Sequence, residues 1–311
     1  MIDIVKRRYM FFGISLLVII PGLIALLIWG FPLAIDFTGG NLLEVRFESG
    51  KLPQPAEVII LYTELGYPDS QVTTSGSDVL IVRSKTMDEA AVAQAITRME
   101  EEFGSTIIVL RSDSVGPSVG QEVASRAAGA VALAALGIML YITYSFRGVP
   151  HAFRYGVAAI IAMLHDVFVV IGVEALFGYF LGWEVDALFL TALLTVIGFS
   201  VHDTIVVFDR IRENSNLYKR MPYETVVNYS VVQTLARSIN TQLTVMFTLF
   251  ALALFGGITI RHFVIILLVG VFSGTYSSIF NAAQILVVWE NKEWRWWFNR
   301  SNKPTSPQIT A

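Results

Sequence analysis

Six stretches of about 20 apolar residues, each long enough to cross a hydrocarbon core of roughly 30 Å, leave this chain few ways to fold. They run over Tyr9–Gly30, Ala124–Tyr144, Tyr155–Val173, Ala187–Phe208, Arg237–Phe255 and Phe263–Trp289. His165 and Asp166 interrupt the third, and His202 and Asp203 the fourth. Of the 311 residues, 54% are hydrophobic and 15% charged, against roughly 25% charged in soluble domains. A chain this apolar needs lipid as its solvent, so the expectation is a polytopic α-helical protein of the bilayer with six transmembrane helices. The first run, Met10–Trp29, exceeds the roughly 7–15 apolar residues of a signal peptide and reads as a retained span.

Orientation follows from basic residues in short loops, which stay on the cytoplasmic side. With the N-terminus inside, thirteen Lys and Arg fall inside, among them Lys6–Arg8, Arg147, Arg154, Arg210, Arg212 and Lys292. The two short outer loops hold one, Arg261. This predicts a multi-pass protein of the cytoplasmic (inner) membrane with both termini cytoplasmic. Trp29, Trp183, Trp289 and Trp294 fall at the predicted interfaces.

Between the first two spans lies an outer segment of different character. Asn41–Phe47 alternates like a strand, with Leu43, Val45 and Phe47 on one face. Pro55–Leu65 reads as a helix, and Gln71–Thr74 and Val79–Arg83 as strands joined by a turn at Ser75–Asp78. Thr86–Phe103 reads as a helix capped by Thr86 with Glu89, and ended by Gly104; Thr106–Arg111 is a last strand. The order β-α-β-β-α-β predicts an extracytoplasmic α+β, ferredoxin-like domain. The expected plan is residues 1–35 for the N-terminus and first span, 36–120 for the outer domain, 121–290 for spans two to six, and 291–311 for a cytoplasmic tail.

With no cysteine, the chain can form no disulfide, zinc–thiolate site or cysteine nucleophile. A net charge of −3 gives no general pull on nucleic acid. Chemistry must then come from ionisable residues at membrane depth: His165, Asp166, His202 and Asp203, with Arg237 at the inner end of the fifth span. Placing a charge there costs about 2.5–3.5 kcal/mol on insertion scales, so such residues pair across a bundle or line an ion path. Either a polar clamp between helices or a proton pathway fits. Asp203 lacks the Gly-x-Gly-Asp setting of intramembrane aspartyl proteases, and no His-Glu-x-x-His is present. Adjacent residues on a helix diverge by about 100°, so each His–Asp pair offers one comfortable metal ligand at most. No metal, no cofactor and no enzymatic activity are expected.

Leu164–Val170 and Val201–Val207 echo each other around their His–Asp pairs, a short match that fits either chance or two helices meeting one polar centre. Ser230, Thr234, Arg237, Thr241, Thr244 and Thr248 step by fours and threes, one polar stripe along a helix that should face other helices. Inward rotation of that stripe would set Arg237 opposite Asp203. The alanines and glycines of Ala124–Gly137, and Gly270 with Gly274, suit either internal packing or a seam for a second bundle.

Certain motifs carry a resemblance. Asp36-Phe37-Thr38-Gly39-Gly40, Val115–Gly120, Gly198–Glu213, Arg237–Thr241 and Gly274–Phe280 are similar to motifs of the SecD/SecF family, on its SecF side. One departure is His202, where that family usually has Asn. The resemblance implies membership of the resistance-nodulation-division superfamily and a SecD-like partner completing twelve spans. It also implies action beside the SecYEG channel, with the proton-motive force pulling a translocating unfolded polypeptide outward. It sets Asp203 and Arg237 on the proton path and His165–Asp166 on a third-span motif. Half of a small-molecule or lipid exporter of the same superfamily is the competing reading; one short outer insert argues against it. Cysteines placed at Ser77 and Ser215 should label from opposite sides of intact cells; labelling of both from one side would refute the six-span topology.

Overall fold

The structure, a computed structural model, describes residues 3–75 and 78–293. Gly76 and Ser77 of the predicted turn, and Trp294, Arg295, Arg300 and Lys303 of the predicted tail, lie outside the described residues. Two compact units are present: one from Met1–Phe31, Val131–Trp183 and Leu188–Ala311, the other from Pro32–Ala130 and Glu184–Ala187.

The smaller unit follows α2 (Ile35–Thr38), β1 (Gly40–Phe47), α3 (Pro55–Glu64), β2 (Gln71–Ser75), β3 (Val79–Ser84), α4 (Glu89–Phe103) and β4 (Ile107–Val115). The strands form one antiparallel sheet in the order β2-β3-β1-β4. Alternation puts Leu43, Val45 and Phe47 of β1 and Leu80 and Val82 of β3 on the helix-covered face, where α3 adds Val58, Leu61 and Tyr62 and α4 adds Ala95 and Met99. Two details correct the sequence reading. Asp88, not Thr86, caps α4, because its carboxylate accepts the Ala91 N–H at 2.7 Å. And β4 runs four residues beyond Arg111, with a bulge at Leu110 that shifts its register with β1.

The larger unit holds α1 (Arg8–Trp29), the part of α5 (Pro117–Ser145) from Val131 on, α6 (Ala152–Leu181), most of α7 (Ala187–Leu217), α8 (Tyr223–Phe255), α9 (Ile258–Ser277) and α10 (Ala283–Glu290). Among the described residues, six helical segments are long and apolar enough to cross a membrane. The chain is thus a multi-pass membrane protein. Several spans outrun their predicted limits: α5 starts at Pro117, before Ala124; α6 continues past Val173 to Leu181; α7 continues past Phe208 to Leu217; and α8 starts at Tyr223, fourteen residues before Arg237. A run of i→i+5 turns over Ser278–Ala282 joins α9 to α10.

Glycines set the closest helix approaches. A Cβ on Gly22 of α1 would lie 2.5 Å from the Gly172 Cα of α6. One on Gly270 would fall 2.0 Å from the Val196 Cγ2 of α7, and Gly274 faces the Ser200 Cα. Gly270 and Gly274 therefore serve internal packing. By contrast Gly137 of α5 meets nothing within 4 Å. Burial divides the spans the same way: 56% of the apolar stretch of α6 is buried, but 6% of α5 and 11% of α8.

At the N-terminus, Asn228 Oδ1 accepts the Ile4 and Val5 N–H groups, and Arg8 pairs with Glu293 at 2.6 Å and Glu224 at 2.9 Å. Burial would raise the Glu293 carboxyl, but hydrogen bonds from Arg8, Tyr9 and Asn291 hold it below its ordinary range. The stability it adds is present above the ordinary carboxylate range and lost as pH falls through the lowered value. Gly172→Leu forces a side chain into the α1 backbone and should cost about 1–3 kcal/mol of stability, read as a lower Tm in detergent. Gly137→Leu, which meets open space, should leave Tm unchanged.

Candidate functional site

Asp166 sits in the middle of α6 with 1% of its surface exposed. A carboxylate so buried needs donors, and four close on it. Ser200 and Ser277 hydroxyls donate to Oδ2 at 2.5 and 2.6 Å; Ser273 and His165 Nδ1 reach Oδ1 at 2.6 and 2.9 Å. The hydroxyls come from α7 and α9, so one side chain ties three spans together. The widened turn after Ser277 aims a second hydroxyl, Ser278, at the Ser200 carbonyl and Thr204. His165 is itself nine-tenths buried and stacks on Tyr276, with Nε2 lacking a hydrogen-bond partner among the described residues.

Asp203, one turn beyond Ser200 on α7, is as deeply buried yet held very differently. Its Oδ2 accepts one neutral donor, Gln242 Nε2 of α8, at 2.7 Å. His202 is 69% exposed with Nδ1 4.0 Å from the carboxylate, beyond hydrogen-bond reach. The two His–Asp pairs therefore do not meet one polar centre, as their sequence echo suggested: Asp166 looks to α7 and α9, Asp203 to α8. Arg237 is not paired with Asp203 either. It is exposed, and lines a cleft of about 490 Å³ with Ile205, Asp209, Arg210, Gln233 and Thr234.

The polar stripe of α8 splits for the same geometric reason. Ser230, Thr234, Ser238 and Gln242, strictly four apart, are buried, whereas Arg237, Thr241, Thr244 and Thr248 are exposed. The exposed Thr244 and Thr248 hydroxyls turn back to carbonyls one turn earlier. Gln242 is a site residue that sequence reasoning missed; the four-residue step from Ser230 through Ser238 was the available signal.

The Asp36–Gly40 signature has a steric explanation. Phe37 is buried within the one-turn α2, and Gly39 follows at φ +74° and Gly40 at φ +133°, conformations that favour glycine. A Cβ on Gly39 would lie 2.7 Å from the Pro117 Cα, and one on Gly120 the same distance from Gly39 N, so the two motifs meet backbone to backbone. Asp36 Oδ2 accepts the Ala187 N–H at 2.8 Å, a carboxylate at the start of α7.

Comparison with known proteins fits this arrangement. The family described as protein export membrane protein SecD/SecF, C-terminal, matches residues 95–292, and the SecD/SecF GG motif matches residues 24–51. The protein translocase subunit SecF of Anaerolinea thermophila is 60% identical over 307 residues, 98% of this chain and 100% of that protein. The chain belongs to the SecF family. Its similarity to the SecF of Thermobaculum terrenum is 48% over 326 residues, the whole of both chains. The SecDF of Bacillus subtilis is 36% identical over 94% of this SecF-family chain and 38% of its own length. The crystal structure of SecDF from Thermus thermophilus superposes with a TM-score of 0.81 at 32% identity, over 93% of this chain and 39% of that one. The chain thus spans about two fifths of the solved SecDF structure.

In this member of the SecF family the third span carries a further carboxylate. Glu174, one residue beyond the predicted limit of that span, is fully buried and bonds His262 of α9 at 2.9 Å. Recognising it required knowing that α6 runs on to Leu181. The four donors on Asp166 yield a direct test. Asp166→Asn replaces one acceptor oxygen by a donor, so at least one buried hydroxyl or imidazole N–H loses its partner. A loss of about 1–3 kcal/mol follows, measured as a lower Tm. Ser273→Ala removes one of four donors and should cost less.

Proposed function

We propose that this chain is an accessory subunit of the Sec protein translocase that uses the proton-motive force, with Asp203 as the proton carrier and Arg237 as its gate. The observation that carries this reading is Asp203 itself: a carboxylate buried at membrane depth and held by one neutral donor, in a chain matching a translocase subunit SecF over its full length. Asp166, with four donors, is built to stay fixed; Asp203 can change charge at the loss of one hydrogen bond. Arg237 lies five residues from Gln242 on α8, about 7.5 Å along the axis. Bringing it to Asp203 requires α8 to turn against α7, so pairing and helix movement are one event. No bond-making step is involved, and the chain is read as a transport subunit with no enzymatic activity.

A SecD-like protein is the expected partner. In the SecDF relatives, SecD and SecF segments share one chain, of which this chain matches 38% or 35%. The open faces of α5 and α8, with the exposed row Arg237, Thr241, Thr244 and Thr248, suit a second bundle. The SecYEG channel and an unfolded translocating polypeptide complete the assembly. In this reading the protein lies in the cytoplasmic membrane with both termini inside, and the Gly40–Val115 sheet unit is a ferredoxin-like domain on the outer side. Asp203→Asn should abolish proton-dependent export in membrane vesicles while the chain still co-purifies with its SecD-like partner. Normal export with unchanged proton dependence would refute the carrier role.

A further inference from the structure

Glu174 has no part in the reading above, yet it is as expensive to bury as Asp166. Its Oε2 meets His262 Nε2 at 2.9 Å, while Oε1 is buried with no hydrogen-bond partner among the described residues. His262, 18% exposed, is packed against Trp183 at 4.5 Å and Phe189 at 6.5 Å. Those neighbours bring no charge. The adjacent Arg261 is exposed, and Glu184 is engaged by Arg83. His262 is thus the titratable group facing Glu174.

Helices α6 and α9 are therefore tied at two levels by carboxylates. At one level Asp166 accepts from both Ser273 and Ser277 and is saturated with donors. Eight residues along α6, about 12 Å, Glu174 holds α9 through a single imidazole. Between them the seam is apolar, with Val170 on α6 and Ile266, Leu267 and Val271 on α9 buried. One end is pinned by several hydrogen bonds; the other rests on a single contact whose strength depends on how many protons a carboxylate and an imidazole share.

We propose that Glu174 and His262 form a second proton-binding site, at the outer end of the α6–α9 seam. It holds the two helices together when the pair carries one proton and releases the outer end of α9 when it carries two. This rests on the proton-driven reading and on its orientation. With one proton the pair is a carboxylate and an imidazolium, or their neutral equivalents, joined by a full hydrogen bond. A second proton, taken from the outer water, lands on the free carboxyl oxygen. The charge attraction then disappears and an imidazolium faces a neutral acid. With α9 still pinned at Asp166, its outer end is free to swing.

The test is export by the assembled complex in vesicles, with the pH on the outer side varied and the inner pH fixed. Glu174→Gln keeps the hydrogen bond to His262 and cannot titrate, so a mere structural clamp would survive it. The expected result is loss of the wild-type response of export to outer acidification. His262→Gln should lose the same response, and it carries the test if Glu174→Gln does not assemble. A wild-type response in these variants overturns the site. Asp203→Asn, run alongside, separates the two readings. If it leaves proton-dependent export intact, the carrier reading fails; if it abolishes export while Glu174→Gln and His262→Gln respond as wild type, this inference alone fails.

Discussion

At membrane depth no water is available to solvate a charge, so a carboxylate there must find its donors in the protein. Asp166 meets that demand with three hydroxyls and an imidazole from three spans, and much of the bundle follows from it. Ser200 of α7 and Ser273 and Ser277 of α9 can reach it together only if α9 and α7 lie close, which Gly270 and Gly274 permit. Ser277 and Ser278 can serve two targets only if the sixth span is locally widened, as it is over Ser278–Ala282. The break in helical regularity is thus explained by hydrogen bonding at the site.

Against that fixed centre, Asp203 is the lightly held carboxylate. One amide supports it, and the span that brings the amide is mostly uncovered on its other faces. Little of α8 is buried, while α6, α7 and α9 are interlocked by side chains and glycines. The two carboxylates differ in how many donors each has and in how deeply the spans that supply those donors are buried.

Within the sheet unit, function and sterics are hard to separate. The glycine pair after Phe37 is required because the chain turns through positive φ against the Pro117 backbone. Asp36 places its carboxylate on the Ala187 N–H in the first turn of a long helix. The signature therefore reads as a joint between two distant segments of chain.

Long apolar runs, alternating strands and glycine stops are local signals, so the six spans and the β-α-β-β-α-β order were legible in the sequence. The residues able to carry charge at depth were legible too, since Asp166 and Asp203 stand out against valine and leucine. Which partner each would meet was not. Pairing across helices depends on rotation about each axis, and a shift of one residue turns a side chain by about 100°. The α8 stripe shows it: residues three and four apart looked like one face, but the four-residue row alone turned inward, with Gln242 and without Arg237. Span limits suffered likewise, because helices continue past the apolar stretch when packing supports them. Glu174 was hidden by one residue of that margin. Its partner, 88 positions away, is decided by tertiary packing alone.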